Sequence, residues 1–284
     1  MKSPLIMLRE VSPTANNVEK EIIKYILAHP EEVTKLSIQK LAANSYSSPS
    51  SVLRLCKLIG YDGYKEFKHA LLTELVTIGQ EDKHSEENVT ALDSTALIIE
   101  KTTNNNIQSL IDTRHLIDDK VLDEVVEKIH DANTINLFGL GASLEACNDF
   151  FLKMLRLGKH ANFTSEYHTQ IINALNVKKG DICIFISYSG ETEEILEINQ
   201  IAKEKEGICV AITRYGETSL SKNCDYVLNS SSNESMFSCG TMSSRISQLN
   251  LLDILFNLYC SKYYEEATMN LTKTHMKKNA SEIF

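Results

Sequence analysis

The chain has 284 residues, of which 43% are hydrophobic and 24% charged, so neither a disordered chain nor a fibrous repeat is expected. This length predicts two modest domains. The formal net charge of −9 at pH 7 argues, at first, against a protein that binds nucleic acid.

The apolar runs and the cysteines further restrict the class of protein that this chain can be. The longest apolar runs fall short of the roughly 20 residues that a membrane-spanning helix needs, and residues 1–13 lack the apolar centre of a signal peptide. We therefore expect a cytoplasmic protein with no membrane partner. The seven cysteines are odd in number and form no C-x-x-C pair, which predicts reduced core thiols and neither a metal site nor a disulfide framework. No cofactor is expected.

Charge is distributed unevenly along the chain. Residues 33–72 carry six lysines and arginines against two acidic residues, a local balance of +4 in a chain of net −9. This asymmetry favours a small basic module that binds nucleic acid, attached to an acidic body. A chance cluster of solvated charge is the alternative.

Three amphipathic helices are predicted near the N-terminus, over 17–29, 37–44 and 48–59. The second and third are short and joined by a tight polar turn, the layout of an all-α helix-turn-helix domain, although any small helical bundle shows the same spacings. Arginine can bond a guanine edge with two donors, serines can reach phosphates, and lysines neutralise backbone charge. The candidate DNA contacts on the third helix are Ser48, Ser50, Ser51, Arg54 and Lys57.

The stretch IQKLAANSYSSPSSVLRLCKLIGYDGYKEFK, at 38–68, resembles the N-terminal DNA-binding domain of the RpiR family of bacterial regulators. The segment GYDGYKEFK that follows the third helix carries the more specific part of the resemblance. At Ser47, Ser50 and Ser51 the chain departs from the family's more usual valine and alanine-threonine, which leaves open which bases are read.

A change in amino-acid composition predicts the boundary between the two domains. EDKHSEEN, at 81–88, is dense in charge and lacks an apolar face, so we predict a helix-turn-helix domain over 1–78, a linker or connecting helix over 79–105 and a second domain over 106–284. The helical pattern that follows the charged stretch is interrupted by the polar patch 102–106.

Strands of 5 to 7 apolar residues then alternate with helices, as in TINLFGLGA, DICIFISYSG and GICVAITRYG. This alternation predicts an α/β domain whose parallel sheet is flanked by helices, doubly wound and flavodoxin-like.

The loop GLGAS, at 139–143, follows the first of these strands. It is not a dinucleotide-binding fingerprint, because Leu144 stands where the third glycine is required, and it is not a P-loop. Gly141 permits close backbone approach, and Ser143 places a hydroxyl at the start of a helix.

The loop FISYSGET, at 185–192, follows the next strand. It offers the hydroxyls of Ser187, Ser189 and Thr192, a relaxed turn at Gly190, and the N-terminus of a helix predicted to begin near Glu191. Such a nest binds a phosphate without a basic side chain. Each cluster, taken singly, could instead only cap a helix.

Together these loops resemble the sugar isomerase (SIS) domain, through FGLGAS, FISYSGETEE and AITRYGETSLSKNCD across roughly residues 120–264. The resemblance implies that the phosphate of a phosphosugar is held by Gly141, Ser143, Ser187, Ser189, Gly190 and Thr192. It also makes secondary candidates, nearer the sugar, of Glu166, His168 and Glu234.

A helix-turn-helix domain followed by an acidic linker and a SIS domain is the architecture of RpiR-type transcriptional regulators. The resemblance implies a bacterial regulator without catalytic residues that binds operator DNA, senses a phosphosugar effector and forms a homodimer or homotetramer through the SIS domain. A phosphosugar aldose–ketose isomerase, with Glu166, His168 or Glu234 as general base, is the alternative. A phosphosugar-responsive protein partner that binds no DNA is a third reading.

Overall fold

The computed structural model describes residues 3–78, 89–232 and 242–275. Within these ranges the chain forms two compact units. Unit 1 contains the described residues up to Leu116 together with two short later segments, 214–216 and 231–232. Unit 2 contains the remaining described residues from Ile117 onward.

Unit 1 is helical. Its described helices are α1 Pro4–Val11, α2 Asn17–Ala28, α3 Pro30–Val33, α4 Ile38–Asn44, α5 Pro49–Leu58, α6 Tyr64–Ile78 and α7 Thr95–Leu116. The three helices predicted from periodicity are confirmed as α2, α4 and α5. Ser37 and Ser48 are the N-caps of α4 and α5, as expected of hydroxyls that accept a backbone N–H of the first turn.

The core of unit 1 is built from the apolar stripes of these helices. Ile22, Ile26, Leu41 and Leu55 are each at most 2% exposed. Side chains from α1, α6 and the end of α7 pack into the same cluster, including Leu116. Burying each such side chain contributes about 1.5–3 kcal/mol, so the pattern that predicts the helices also provides much of their stability.

The polar patch 102–106 does not interrupt a helix, because α7 continues through it. The predicted boundary between 105 and 106 falls inside α7, and the two units divide after Leu116. The buried side chains of α7 are mostly polar: the Lys101 ammonium lies 2.9 Å from a carboxylate oxygen of Asp93, and the Thr113 hydroxyl donates to the carbonyl of Ser109. Apolar periodicity indicates the two ends of this helix but could not show that it continues through a polar patch. The charged stretch 81–88 lies outside the described residues.

Unit 2 is an α/β sandwich. Its described elements are α8 Asp119–Asp131, β1 Ile135–Gly139, α9 Ser143–Arg156, β2 Ala161–Asn162, α10 Tyr167–Leu175, β3 Ile182–Ile186, α11 Glu193–Glu204, β4 Ile208–Arg214, α12 Ser219–Asn223, β5 Tyr226–Ser230, α13 Ser243–Lys262 and α14 Tyr264–Lys273. The sheet order is β2-β1-β3-β4-β5, with β1 parallel to both β2 and β3, and β3 parallel to β4. This order is flavodoxin-like, and the predicted fold class is confirmed.

Both faces of the sheet are covered. Alternate strand residues such as Leu137 and Ile184 pack against α8, α9 and α13. Their neighbours, such as Phe138 and Phe185, pack against α10, α11 and α12. Double burial explains why the strands are continuous apolar runs in the sequence.

Strand register brings two loops together. Gly139, the last residue of β1, pairs with Ile186, the last residue of β3. The loops that follow these residues, at 140–142 and 187–192, therefore leave the same edge of the sheet from neighbouring strands. Open α/β sheets bind their ligands at this edge.

Two further findings concern the described ranges alone. The six cysteines that they contain carry free thiols, and burial raises the pKa of Cys56 and of Cys209 to about 12, so these two remain protonated at neutral pH. None of the helices described has the length and apolar character needed to cross a membrane.

Candidate functional site

The loop between β3 and α11 is lined by hydroxyl groups. The Ser187 side chain is buried, and its Oγ lies 3.1 Å from Oγ1 of Thr192. The amide of Gly190 donates to the Ser187 carbonyl, which closes a tight turn. Ser189, at the exposed tip, accepts a hydrogen bond from the Glu191 amide at 3.2 Å. Three serine or threonine hydroxyls thus lie within six residues that include no lysine or arginine.

Gly190 is required at the centre of this turn. Its φ is +67°, a conformation that disfavours residues with a Cβ. A Cβ there would lie 2.4 Å from Oγ1 of Thr218 and 2.7 Å from Oγ1 of Thr213. The Gly190 carbonyl accepts from the Leu220 amide, and the Thr213 hydroxyl donates to the Tyr188 carbonyl. The loop is therefore fixed by contacts with the end of β4 and the start of α12.

The helix α11 begins at Glu193, two residues later than predicted, with Thr192 as its N-cap. Among the described residues, no side-chain hydrogen bond caps α11 at Thr192. The hydroxyl faces Ser187 instead, so helix capping does not account for its presence. First-turn amides have no intrahelical acceptor, and they carry the positive end of the helix dipole.

The loop between β1 and α9 has a similar form. The N-cap of α9 is Ala142, so the described part of the chain offers this helix no side-chain cap. Gly141 has a φ of +57°, and apart from its own atoms and those of its two chain neighbours, no described atom lies within 4 Å of where its Cβ would be. Ser143 is the first helical residue, and its hydroxyl donates to Oε1 of Gln248 at 3.3 Å. The uncapped starts of α9 and α11 follow adjacent strands.

Two buried glutamines, which sequence reasoning missed, fix the position of the β1–α9 loop. The side chain of Gln170 donates to the carbonyl of Gly139 at 3.0 Å and accepts from its amide at 3.3 Å. Gln248, on α13, accepts from Ser143. Both lie in helical segments, TQIINAL and ISQLNLL, that contain other polar residues as well, so no feature of the sequence marks these two glutamines as buried.

Glu166 serves as the N-cap of α10. Its carboxylate accepts the Thr169 hydroxyl and amide, both at 2.7 Å, and the His168 amide at 3.1 Å. These hydrogen bonds, with the Thr169 hydroxyl foremost, hold the pKa of Glu166 below its usual range. A general base is most effective with a pKa near the working pH, so Glu166 is poorly suited to proton transfer. His168 is exposed, and Glu234 lies outside the described residues.

The predicted DNA contacts divide into two groups on α5. Ser48 accepts the Ser51 amide at 3.1 Å, and the two hydroxyls lie 2.9 Å apart, so both contribute to the helix cap. Ser50, Arg54 and Lys57 are exposed at i, i+4 and i+7, a spacing that places them on one face of the helix. The Arg54 side chain is 65% exposed, and its Nε lies 3.7 Å from a carboxylate oxygen of Glu19 on α2.

Family comparisons match this two-part architecture. The model described as "Helix-turn-helix domain, rpiR family" matches residues 5–77, and the SIS domain model matches 128–258. An HTH-type transcriptional regulator of Caldanaerobacter subterraneus subsp. tengcongensis is 35% identical over 96% of this chain and 96% of its own. The chain belongs to the rpiR family of helix-turn-helix transcriptional regulators.

Other rpiR-family comparisons agree. The regulator YbbH of Bacillus subtilis is 34% identical over 90% of each chain. The structure of the Vibrio vulnificus NanR protein, complexed with ManNAc-6P, covers 95% of this chain and 96% of its own at 27% identity, with a TM-score of 0.59. The sugar isomerase domain of an RpiR transcription factor from Sphaerobacter thermophilus shares the fold of 61% of this chain and 95% of its own at 19% identity, with a TM-score of 0.56.

Proposed function

We propose that this rpiR-family regulator binds operator DNA through α5 and the turn before it, and that the loops after β1 and β3 bind the phosphate of a phosphosugar effector. The observation that carries the proposal is the pair of loops without side-chain caps, described above, which leave neighbouring strands at one edge of the sheet. Their hydroxyls and helical amides can donate to phosphate oxygens without a basic side chain.

The chemical class of the effector is supported by a relative. The Vibrio vulnificus NanR structure is a complex with ManNAc-6P. An N-acetylated hexosamine 6-phosphate is therefore the first effector to test here, followed by simple hexose and pentose phosphates. The phosphate contacts would fall to Gly141, Ser143, Ser187, Ser189, Gly190 and Thr192.

We propose that the bound sugar is left unchanged. An aldose–ketose isomerase needs a base that moves a proton between neighbouring carbons, and Glu166 is engaged as a helix cap with a lowered pKa. Relatives named as transcriptional regulators support the same conclusion. Incubation with ManNAc-6P and a pool of sugar phosphates should give no isomerised product; turnover would favour the enzyme.

Regulation would require the effector to favour one arrangement of the DNA-binding heads. We propose a homodimer or homotetramer assembled through unit 2, acting in the cytoplasm and placing paired heads on a pseudo-palindromic site. A coupling free energy of about 1–3 kcal/mol is typical of such systems.

The first test is selection from genomic DNA. The full chain is incubated with sheared DNA of its own genome at physiological salt, with and without the sugar phosphates, and the retained fragments are sequenced. We expect enrichment of one or a few promoter regions and a change in retention with one sugar phosphate. Retention of nothing, or of all fragments alike, would contradict specific operator binding.

Replacing Arg54 by alanine is expected to weaken operator binding by about 1–3 kcal/mol, because a groove-facing guanidinium can bond a base edge with two donors. Titration of the selected operator measures the change, and Arg156→Ala, at an exposed position on α9, is the matched control. Operator affinity equal to that of the control would remove Arg54 from base recognition.

A further inference from the structure

The turn between α4 and α5 contains an unusual residue. Tyr46 is 93% exposed, which exceeds the 69% exposure of Tyr264. Its φ is +49°, and Glu206 is the only other non-glycine residue with a positive φ in the described ranges. A large side chain therefore stands in solvent on a backbone that glycine adopts more readily.

Neighbouring groups impose this backbone conformation. The Ser45 hydroxyl donates to the Leu41 carbonyl at 2.8 Å, and the Ser47 amide donates to the Ala42 carbonyl at the same distance. The amide of Tyr46 donates to the Ala43 carbonyl at 3.3 Å. These contacts do not involve the Tyr46 side chain, so a glycine could occupy the turn and keep all of them.

The stability of the fold therefore does not explain why a tyrosine occupies position 46. Its ring buries almost no surface, and its backbone is in an unfavourable region, so the residue contributes little to the stability of unit 1. Backbone strain that surrounding structure sustains is concentrated at functional sites. The side chain itself is the feature that needs a function.

We infer that Tyr46 contacts DNA, with its phenol O–H donating to a phosphate oxygen beside the site reached by α5. The inference rests on the proposed DNA binding. Tyr46 lies two residues before Ser48, the N-cap of α5, and the N-terminal residues of a recognition helix are those that approach the bases. Tyrosine hydroxyls are among the groups that bond phosphates and fix the register of a protein on the duplex.

The test compares Tyr46→Phe and Tyr46→Gly with the unchanged full chain on the operator obtained by genomic selection. Loss of the phosphate hydrogen bond in Tyr46→Phe is expected to weaken binding about 3- to 10-fold. The slope of log affinity against log salt should stay unchanged, because a phenol releases no counterion, whereas Lys57→Ala should reduce that slope by about 1.

Tyr46→Gly separates a role in binding from a role in folding. It should bind DNA at least as weakly as Tyr46→Phe while its thermal unfolding midpoint is no lower than that of the unchanged chain, since glycine relieves the backbone strain. Tyr264→Phe, at the exposed start of α14, is the matched control and should change neither quantity.

Three results would overturn the inference: unchanged operator affinity in Tyr46→Phe, a lowered unfolding midpoint in Tyr46→Gly, or an equal loss of affinity in the Tyr264→Phe control. If the unchanged chain retains no specific DNA, the proposed function fails instead. The two failures are thus distinguishable.

Discussion

Replacing Gly190 by alanine is expected to abolish effector binding and to lower the free energy of unfolding by about 2–4 kcal/mol. Alanine at a φ of +67° is unfavourable, and its Cβ would overlap Thr218 and Thr213, both of which are buried. The turn must then move away from the position in which its hydroxyls meet. Isothermal calorimetry with the sugar phosphate and denaturant unfolding measure the two effects.

Gly158→Ala is the matched control. Gly158 also has a positive φ, +74°, but the three atoms nearest to its Cβ would all belong to the Asn270 side chain, at 3.4–3.5 Å. Gly158→Ala should lower the free energy of unfolding only through the unfavourable φ, because its Cβ overlaps no neighbour, and this variant should bind the effector normally. If Gly190→Ala is no less stable than Gly158→Ala and still binds the effector, the tight approach at Gly190 does not shape the site.

The double variant Ser187→Ala, Thr192→Val is expected to lose effector affinity by about 100-fold or more while remaining close to the original stability. Each hydrogen bond to a charged phosphate contributes about 1.5–3 kcal/mol, so losing two accounts for the effect. Stability changes little, because the two hydroxyls lie 3.1 Å apart and both are removed together, leaving neither without its partner.

A helix cap provides the control for this pair. Asp118→Ala removes a carboxylate that accepts the Lys120 amide at the start of α8, so it should lower the free energy of unfolding by about 1 kcal/mol and leave effector binding intact. Thr192→Val alone should show no comparable capping loss, since Thr192 caps nothing with its side chain among the described residues. Normal effector affinity in the double variant would contradict the proposed phosphate site.

The fold could be predicted from the sequence wherever burial is one-sided or complete. Ile22 and Ile26 on α2 and Leu55 on α5 belong to apolar stripes with helical spacing, which a helix with one buried face produces. The run ICIFI of β3 is continuously apolar, because the strand is buried on both faces. The hydroxyl loops were predictable because parallel strands place their carboxyl ends together, whatever the details of the turn.

Polar burial is what the sequence could not reveal. The helix α7 hides Lys101 against Asp93, and Gln170 holds both backbone groups of Gly139. Such side chains are exposed in most proteins, so a prediction from residue type would place them at the surface and not in the interior. Glu166 shows a further role that the sequence did not predict, because its carboxylate is the N-cap of α10.

Unit 1 is built from segments that are separated along the chain, and this limits how its DNA-binding domain can be transferred to another regulator. Leu116 and Tyr215 both pack into its core cluster, and the Tyr215 hydroxyl donates to the Ile59 carbonyl at 3.3 Å. Ser231 donates its hydroxyl to Glu10 and its amide to Thr113. A chimera that joins residues 1–78 alone to a foreign sensor domain omits Thr113, Leu116, Tyr215 and Ser231. The surfaces that these residues cover in unit 1 must then be redesigned, and a linker alone is not enough.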